Sequence, residues 1–438
     1  MATKPATRTD VAKVLGRVAF GATAADLDTW AGKPYEDLVD DLLAVADLPV
    51  VPPLPDDARR VALQASDSTA EDARAWWLER MRTTPYPLLE RLTLVWHGHF
   101  ATGVRYPPLV GDLVRQNDTL RTHALGDVHD LVAAMTIDPA MLFWLNGHEN
   151  ATPHPNENYA REFFELFTLG TRPQVYTERD VREAARAFTG WIVGSAGTAQ
   201  FVAARHDAKT KRVLGRTITN QGVNEYRALV DVALRQPAAA RFLAFKLVAN
   251  LAYVPSSTSE PLVKKVAATL ARTWRTADAV RTLLLADEFR YGLGPRQLVR
   301  SPVEAFVHAA KALDVELDKD GTFVWYLQRM GHALFDPVDV SGWPLGRDWV
   351  TPVTALARYD AGLAFHERVA KAPTRVLDPL PEPGDLAGWA RRLGVAAFGR
   401  NTSNAVKSHL RRTAKDGVDA QRAGVLTLLL SSPEWVVM

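Results

Sequence analysis

The sequence predicts a mainly α-helical fold, a multi-helix orthogonal bundle with one small β-hairpin near residues 200–216. Three observations point there. Segments such as "TDVAKVLGRVAF", "LLERLTLVWHGHF", "AAARFLAFKLVANLAY" and "EPLVKKVAATLARTW" place apolar residues three and four apart, the period of a helix with one buried face. Alternating, strand-like runs are scarce, the exception being "AQFVAARHDAKTKRVLGRTI", two short extended pieces around a Lys/Thr turn. Helix starts are also marked: Thr177 with Asp180 three residues on reads as a capping box, and Asp138-Pro139 and Ser301-Pro302 each place Pro in a first turn.

The chain has 438 residues, 47% hydrophobic and 23% charged, the make-up of an ordinary globular protein rather than a disordered or fibrous one. It reads as a single domain over 1–438, softly divided into an N-terminal helical segment (1–55), a central body (56–384) and a C-terminal helical segment (385–438). Pro-rich stretches at 48–57 and 371–385 read as linkers or long loops. Lys plus Arg (52) nearly balance Asp plus Glu (50), and no like-charge block stands out, so no nucleic-acid footprint is expected. The absence of Cys excludes disulfides, thiolate metal sites and a Cys nucleophile. Lys13 and Arg17 interrupt the N-terminal apolar stretch, so no signal peptide is read and a cytoplasmic location is expected. "VLTLLL" is far short of a membrane span.

The densest cluster of polar chemistry is "HPNENYAREFFELFTLG", residues 154–170. On a helical wheel, Glu157, Asn158, Arg161, Glu162, Glu165 and Thr168 fall within about 140° of arc, opposite Tyr159, Phe163, Phe164 and Phe167. An Arg161–Glu165 surface pair accounts for part of this. Asn156 and Asn158 beside Glu157 could hold a polar ligand, and Glu162 and Glu165 have the spacing of two carboxylates sharing a metal or a proton. Asp180 lies at the margin of the apolar side of the next helix, where a carboxylate needs a partner. "WHGHF" adds His97 and His99, which diverge if they end a helix. His206-Asp207 and the Gly/Pro-rich loop 335–352, with Trp343 and Trp349, are further candidates, with Trp191 at the end of the 178–191 helix. No P-loop, dinucleotide fingerprint, G-x-S-x-G elbow or H-E-x-x-H is present, so no nucleotide cofactor is expected.

Taken in order, "LGRVAFGAT", "WHGHF", "DPAMLFWLNG", "PNENYAREFFELFTLG", "YTERDVREAARAFTGW", "HDAKTKRVLG" and "GWPLGRDWVTP" resemble the bacterial family known as domain of unknown function 1800. The strongest words include Asn156, Glu157, Asn158, Arg161, Glu162, Glu165, Asp180, Gly190, Trp191, His206, Asp207, Gly342 and Trp343. The resemblance implies a mainly helical fold, and, from relatives that look exported, envelope or extracellular work beside a sulfatase-like partner protein. The chain departs from the pattern at Gly98, where relatives often carry Asn, and at Val338, where a second Pro is common.

These readings lead to an expected metal-dependent enzyme, a hydrolase acting on a polar ester or glycan-like small molecule. Glu162, Glu165, Asp180 and His99 are the expected catalytic groups. Asn156, Asn158, Arg161, Trp191, Trp343, His206 and Asp207 are expected to bind substrate, and His99, His154, Glu162 and Glu165 to hold a divalent metal. Two other classes fit the same residues: an iron or copper oxidoreductase with a nearby Trp, and a non-catalytic binding or assembly protein whose Asn/Glu/Arg network is structural.

Overall fold

Helices account for nearly all the regular structure of the computed structural model, which describes residues 4–48, 54–64, 68–104, 110–172, 174–195, 197–292, 298–317, 320–371 and 380–438. Parts of both Pro-rich stretches, 49–53 and 372–379, lie outside the described residues. The elements that position the site are α1 (Arg8–Val18), α2 (Ala70–Thr83), α3 (Pro87–His99), α4 (Asn158–Glu162), α5 (Glu178–Ala187), β1 (Trp191–Val193), β2 (Ala199–Phe201), β3 (Lys211–Val213), β4 (Arg216–Ile218), α6 (Glu225–Leu234), α7 (Pro237–Leu251), α8 (Pro302–Leu313) and α9 (Pro352–Lys371).

The start signals act as read. Asp138 accepts from the Met141 N–H ahead of Pro139, and both Thr177/Asp180 and Ser301/Glu304 close reciprocal capping boxes. Each satisfies backbone donors that a helix start leaves without an intrahelical partner.

The apolar residues form two clusters. One gathers α1, most of α3, and α4 through α7; the other gathers α2, α8, α9 and the C-terminal helices. Helix α3 serves both, giving Leu88, Leu92 and Trp96 to the first and Leu94 to the second. Its C-terminal end therefore sits at the seam between them.

The strand-like stretch differs from the expectation of one hairpin around Lys/Thr. Its two extended pieces belong to separate two-stranded antiparallel sheets: β2 pairs with β1, Ile192 opposite Gln200, and β3 pairs with β4, Arg212 opposite Thr217. The physical reason lies in the turns. A 3₁₀ turn at Ala203–Arg205 breaks the stretch, while Leu214 (φ 49°) and Gly215 (φ 76°) supply the two positive φ angles of a tight hairpin turn.

The 154–170 helix also departs from an ideal wheel. After α4 it continues as a π-helical turn, Phe163–Thr168, with the Thr168 hydroxyl donating to the Phe163 carbonyl at 2.6 Å. Phe163, Phe164 and Phe167 are fully buried, as their side of the wheel requires.

Candidate functional site

The end of α3, the middle of α7, the start of α8 and the loop 341–349 enclose a pocket of about 70 Å³. Arg91, Gly98, His99, Lys246, Asn250, Ser301, Glu304, His332, Trp343 and Trp349 border it. These groups come from far apart in the chain and meet at the seam between the two clusters.

His99 is 5% exposed, and its Nε2 lies 3.0 Å from the Phe167 carbonyl. A carbonyl oxygen can only accept, so Nε2 carries the proton and Nδ1 keeps its lone pair. That Nδ1 is buried and has no hydrogen-bond partner. Burial first, then the nearby Lys246 charge, lower the His99 pKa to about 3, against the opposing pull of the Phe167 carbonyl, so the ring is neutral at physiological pH. The π turn of the 154–170 motif thus sets the tautomer of a pocket histidine through a backbone oxygen.

His97 and His99 diverge, as two residues apart on a helix must. The Nε2 of His97 accepts from the Phe335 N–H at 3.2 Å, facing the second cluster. His332 stacks on Trp349, with centroids 4.8 Å apart, and its Nδ1 accepts from the Val303 N–H at 3.4 Å. Burial, followed by the charges of His97, Arg91 and Arg358, lowers its pKa to about 3.

Trp343 sits between His97 and His332, 5.2 Å from each ring, and its indole N–H is buried without an acceptor. A close approach of backbone to backbone places it there. Gly342 has φ 91°, and a Cβ on it would stand 2.1 Å from the Gly98 carbonyl oxygen, so only glycine lets this loop dock on the end of α3.

Two charges are compensated across the pocket wall. Arg91 Nη2 lies 2.6 Å from Glu304 Oε1 and donates to the Asn250 carbonyl at 2.7 Å, while its Nε donates to the Arg17 carbonyl at 3.2 Å. Lys246 has no such partner: among the described residues its ammonium makes no ion pair or hydrogen bond and lies 5.4 Å from the Phe242 ring centroid. Burial lowers its pKa.

The family model described as "Protein of unknown function (DUF1800)" matches residues 13–437, nearly the whole chain. The chain belongs to the DUF1800 family. Comparison with curated proteins finds no match, and comparison with solved structures finds none either.

The DUF1800 words of the sequence fall into three places. His99, Gly342 and Trp343 are at the pocket. The polar side of α4 forms a second group, where Arg161 donates to both oxygens of Glu178 at 2.8 Å and approaches Glu157 (3.5 Å) and Glu165 (3.8 Å). Burial and then the Glu165 charge raise the Glu162 pKa from its ordinary value. Asn156 stands two residues before this helix, its side chain accepting from the Asn158 N–H at 2.9 Å, and His154 is exposed. His99, His154, Glu162 and Glu165 do not assemble: among the described residues no three His, Asp or Glu side chains group as metal ligands.

The third place is the hairpin anchor. Asp180 spends one oxygen on the capping box and the other on the Leu214 N–H at 2.7 Å, tying α5 to the β3–β4 turn. Asp207 takes Arg186 bidentately at 2.7 and 3.2 Å, and these hydrogen bonds bring its pKa down to about 2. His206 lies 3.3 Å from Glu225, which also pairs with the fully buried Lys211. Trp191 packs edge-on to Tyr226. None of these four lines the His99 pocket.

Sequence reading missed Arg91, Lys246, Glu304 and His332. A signal existed for Lys246 and Asn250, a Lys and an Asn four apart in the otherwise apolar run "AFKLVANLAY".

Proposed function

We propose that the protein is a hydrolase of polar esters, with the pocket between α3, α7, α8 and the 341–349 loop as its active site. The observation that carries this is His99: a neutral, tautomer-fixed imidazole whose free Nδ1 lone pair belongs to a pocket-lining ring. Nδ1 is covered in this structure, so the reaction requires a side-chain movement that opens it to the pocket, where it accepts a proton from a bound water. The water oxygen then bonds to the ester carbonyl carbon, and the carbonyl oxygen takes the negative charge beside the Lys246 ammonium and the Trp343 N–H. Collapse breaks the ester C–O bond, and the His99 proton leaves with the alcohol. A base with a pKa near 3 is weak in the empty pocket; charge developing next to Lys246 offsets the cation that helps lower it. Water is the nucleophile in this mechanism.

A structural reading is favoured at one place only, the His206–Glu225–Lys211 cluster, whose side chains are buried and gathered around Glu225 at the base of the β3–β4 hairpin. The test of the catalytic reading is hydrolysis of a panel of small aryl esters by the wild type and by His99→Gln. Turnover by the wild type, lowered about 100-fold or more in a variant of unchanged melting temperature, supports the reading, on the scale usual for a lost general base. Equal rates overturn it.

A further inference from the structure

We propose that the same pocket is an anion site, and that Lys246 holds a carboxylate, phosphate or sulfate group of the ligand. This rests on the reading above and deepens it by giving the substrate an anionic group beside its ester, the two sharing the three donors of the Lys246 ammonium; it concerns binding and stands apart from turnover.

The basis is an imbalance of buried charge. Arg91 and Lys246 border the pocket, and Arg300 and Arg358 stand immediately behind it, joined by an Arg358 Nη2 to Arg300 carbonyl hydrogen bond of 2.9 Å. Arg91, Arg300 and Arg358 are each about 4–5% exposed. Among the described residues, Glu304 is the carboxylate that lies against this group, and its ion pair is with Arg91. Arg300 and Arg358 form no ion pair with a described carboxylate, and Arg300 Nε and Arg358 Nη1 are buried without hydrogen-bond partners. Arg91, Lys246, Arg300 and Arg358 thus stand around Glu304, an excess of positive charge in a largely buried region that raises the positive potential of the adjoining cavity.

Lys246 is the member free to touch a ligand. Arg91 is engaged with Glu304, Asn250 and Arg17, whereas the Lys246 ammonium borders the pocket with an aromatic ring as its neighbour and three donors unspent. The cavity of about 70 Å³ is well above the roughly 10–15 Å³ that admits one water, so it has room for an oxyanion head group. His99 reports on occupancy: the Lys246 charge helps lower its pKa, so an anion on that ammonium moves the imidazole back toward its ordinary value.

The experiment titrates sodium phosphate, sodium sulfate and sodium acetate, at constant ionic strength set with chloride, into the full chain and its Lys246→Arg and Lys246→Met variants. Heat and the His99 ring resonances are both followed. The expected result is saturable binding of at least one of these anions to the wild type, with the His99 midpoint rising by about one pH unit, affinity kept within about threefold in Lys246→Arg and weakened about tenfold or more in Lys246→Met. Absence of saturable binding to the wild type, an unmoved His99 midpoint, or undiminished binding by a folded Lys246→Met overturns the proposal. The wild-type titration alone decides it if Lys246→Met fails to fold. Anion binding without ester turnover sinks the hydrolase reading and leaves this one standing; turnover of neutral esters without anion binding does the reverse.

Discussion

Gly342→Ala perturbs the contact that seats the pocket loop. The added Cβ would lie 2.1 Å from the Gly98 carbonyl oxygen, more than 1 Å inside ordinary contact, and the backbone at φ 91° disfavours any side chain. Backbone strain of about 1–3 kcal/mol and overpacking of about 1–3 kcal/mol sum to roughly 4 kcal/mol in mid-range. Unfolding entropy of about 2.1 cal/mol/K per residue over 438 residues gives ~0.9 kcal/mol/K, so the melting temperature should fall by about 4 °C in calorimetry. Gly331→Ala is the control. It has a comparable φ of 75° but open space within 4 Å, so it carries the strain without the clash and should shift the melting temperature by only about 1–3 °C. Ester turnover should drop in Gly342→Ala as Trp343 is displaced, and persist in Gly331→Ala. Equal melting shifts and equal turnover in the two variants would refute the claim that the Gly98–Gly342 approach positions the pocket wall.

Three further outcomes follow from the geometry. Glu90, 1% exposed, accepts from Trp77 and Arg80 at 3.0 Å and from Arg121 at 2.5 and 3.0 Å, so Glu90→Gln should cost about 1.5–3 kcal/mol by leaving Arg80 and Arg121 with only their partly exposed partners Asp56, Asp57 and Asp118, read by denaturant unfolding. In the wild type burial raises the Glu90 pKa, but Arg121 and then Arg80 outweigh it and bring the value from 4.5 to about 2; the group therefore stabilises the fold above pH 4.5, and about 3 kcal/mol is lost as pH falls from there through 2, measurable as an acid-unfolding limb that Glu90→Gln lacks. Asp180→Ala should cost about 1–2 kcal/mol and speed hydrogen exchange at the Leu214 amide, since it removes both the cap and the turn anchor; unchanged Leu214 exchange would contradict that role.

Local signals made much of the fold legible. The caps at Asp138, Thr177 and Ser301 act within four residues, and the Phe163/Phe164/Phe167 side of the motif is a local period, so both could be read from the chain alone. The hairpin boundaries could not, because Leu214 at positive φ carries no compositional signature. Nor could the π turn, since a wheel of fixed pitch assumes the geometry it displays. Of the pocket, His99, Trp343 and Trp349 stood out by residue type, whereas Arg91, Lys246, Glu304 and His332 are scattered polar residues in helical or loop segments with no catalytic motif around them. Their meeting depends on how α3, α7 and α8 pack, and periodicity holds no information about that.

The central claim is that function resides at the His99 pocket rather than on the polar side of α4, where Glu162 and Glu165 form the competing constellation. Side-by-side ester turnover of His99→Gln and of the Glu162→Gln/Glu165→Gln double variant, each checked for an intact melting transition, tests it most directly. The account predicts loss of about 100-fold or more in His99→Gln and a rate within about twofold of wild type in the double variant. Turnover abolished in the double variant and retained in His99→Gln would contradict it.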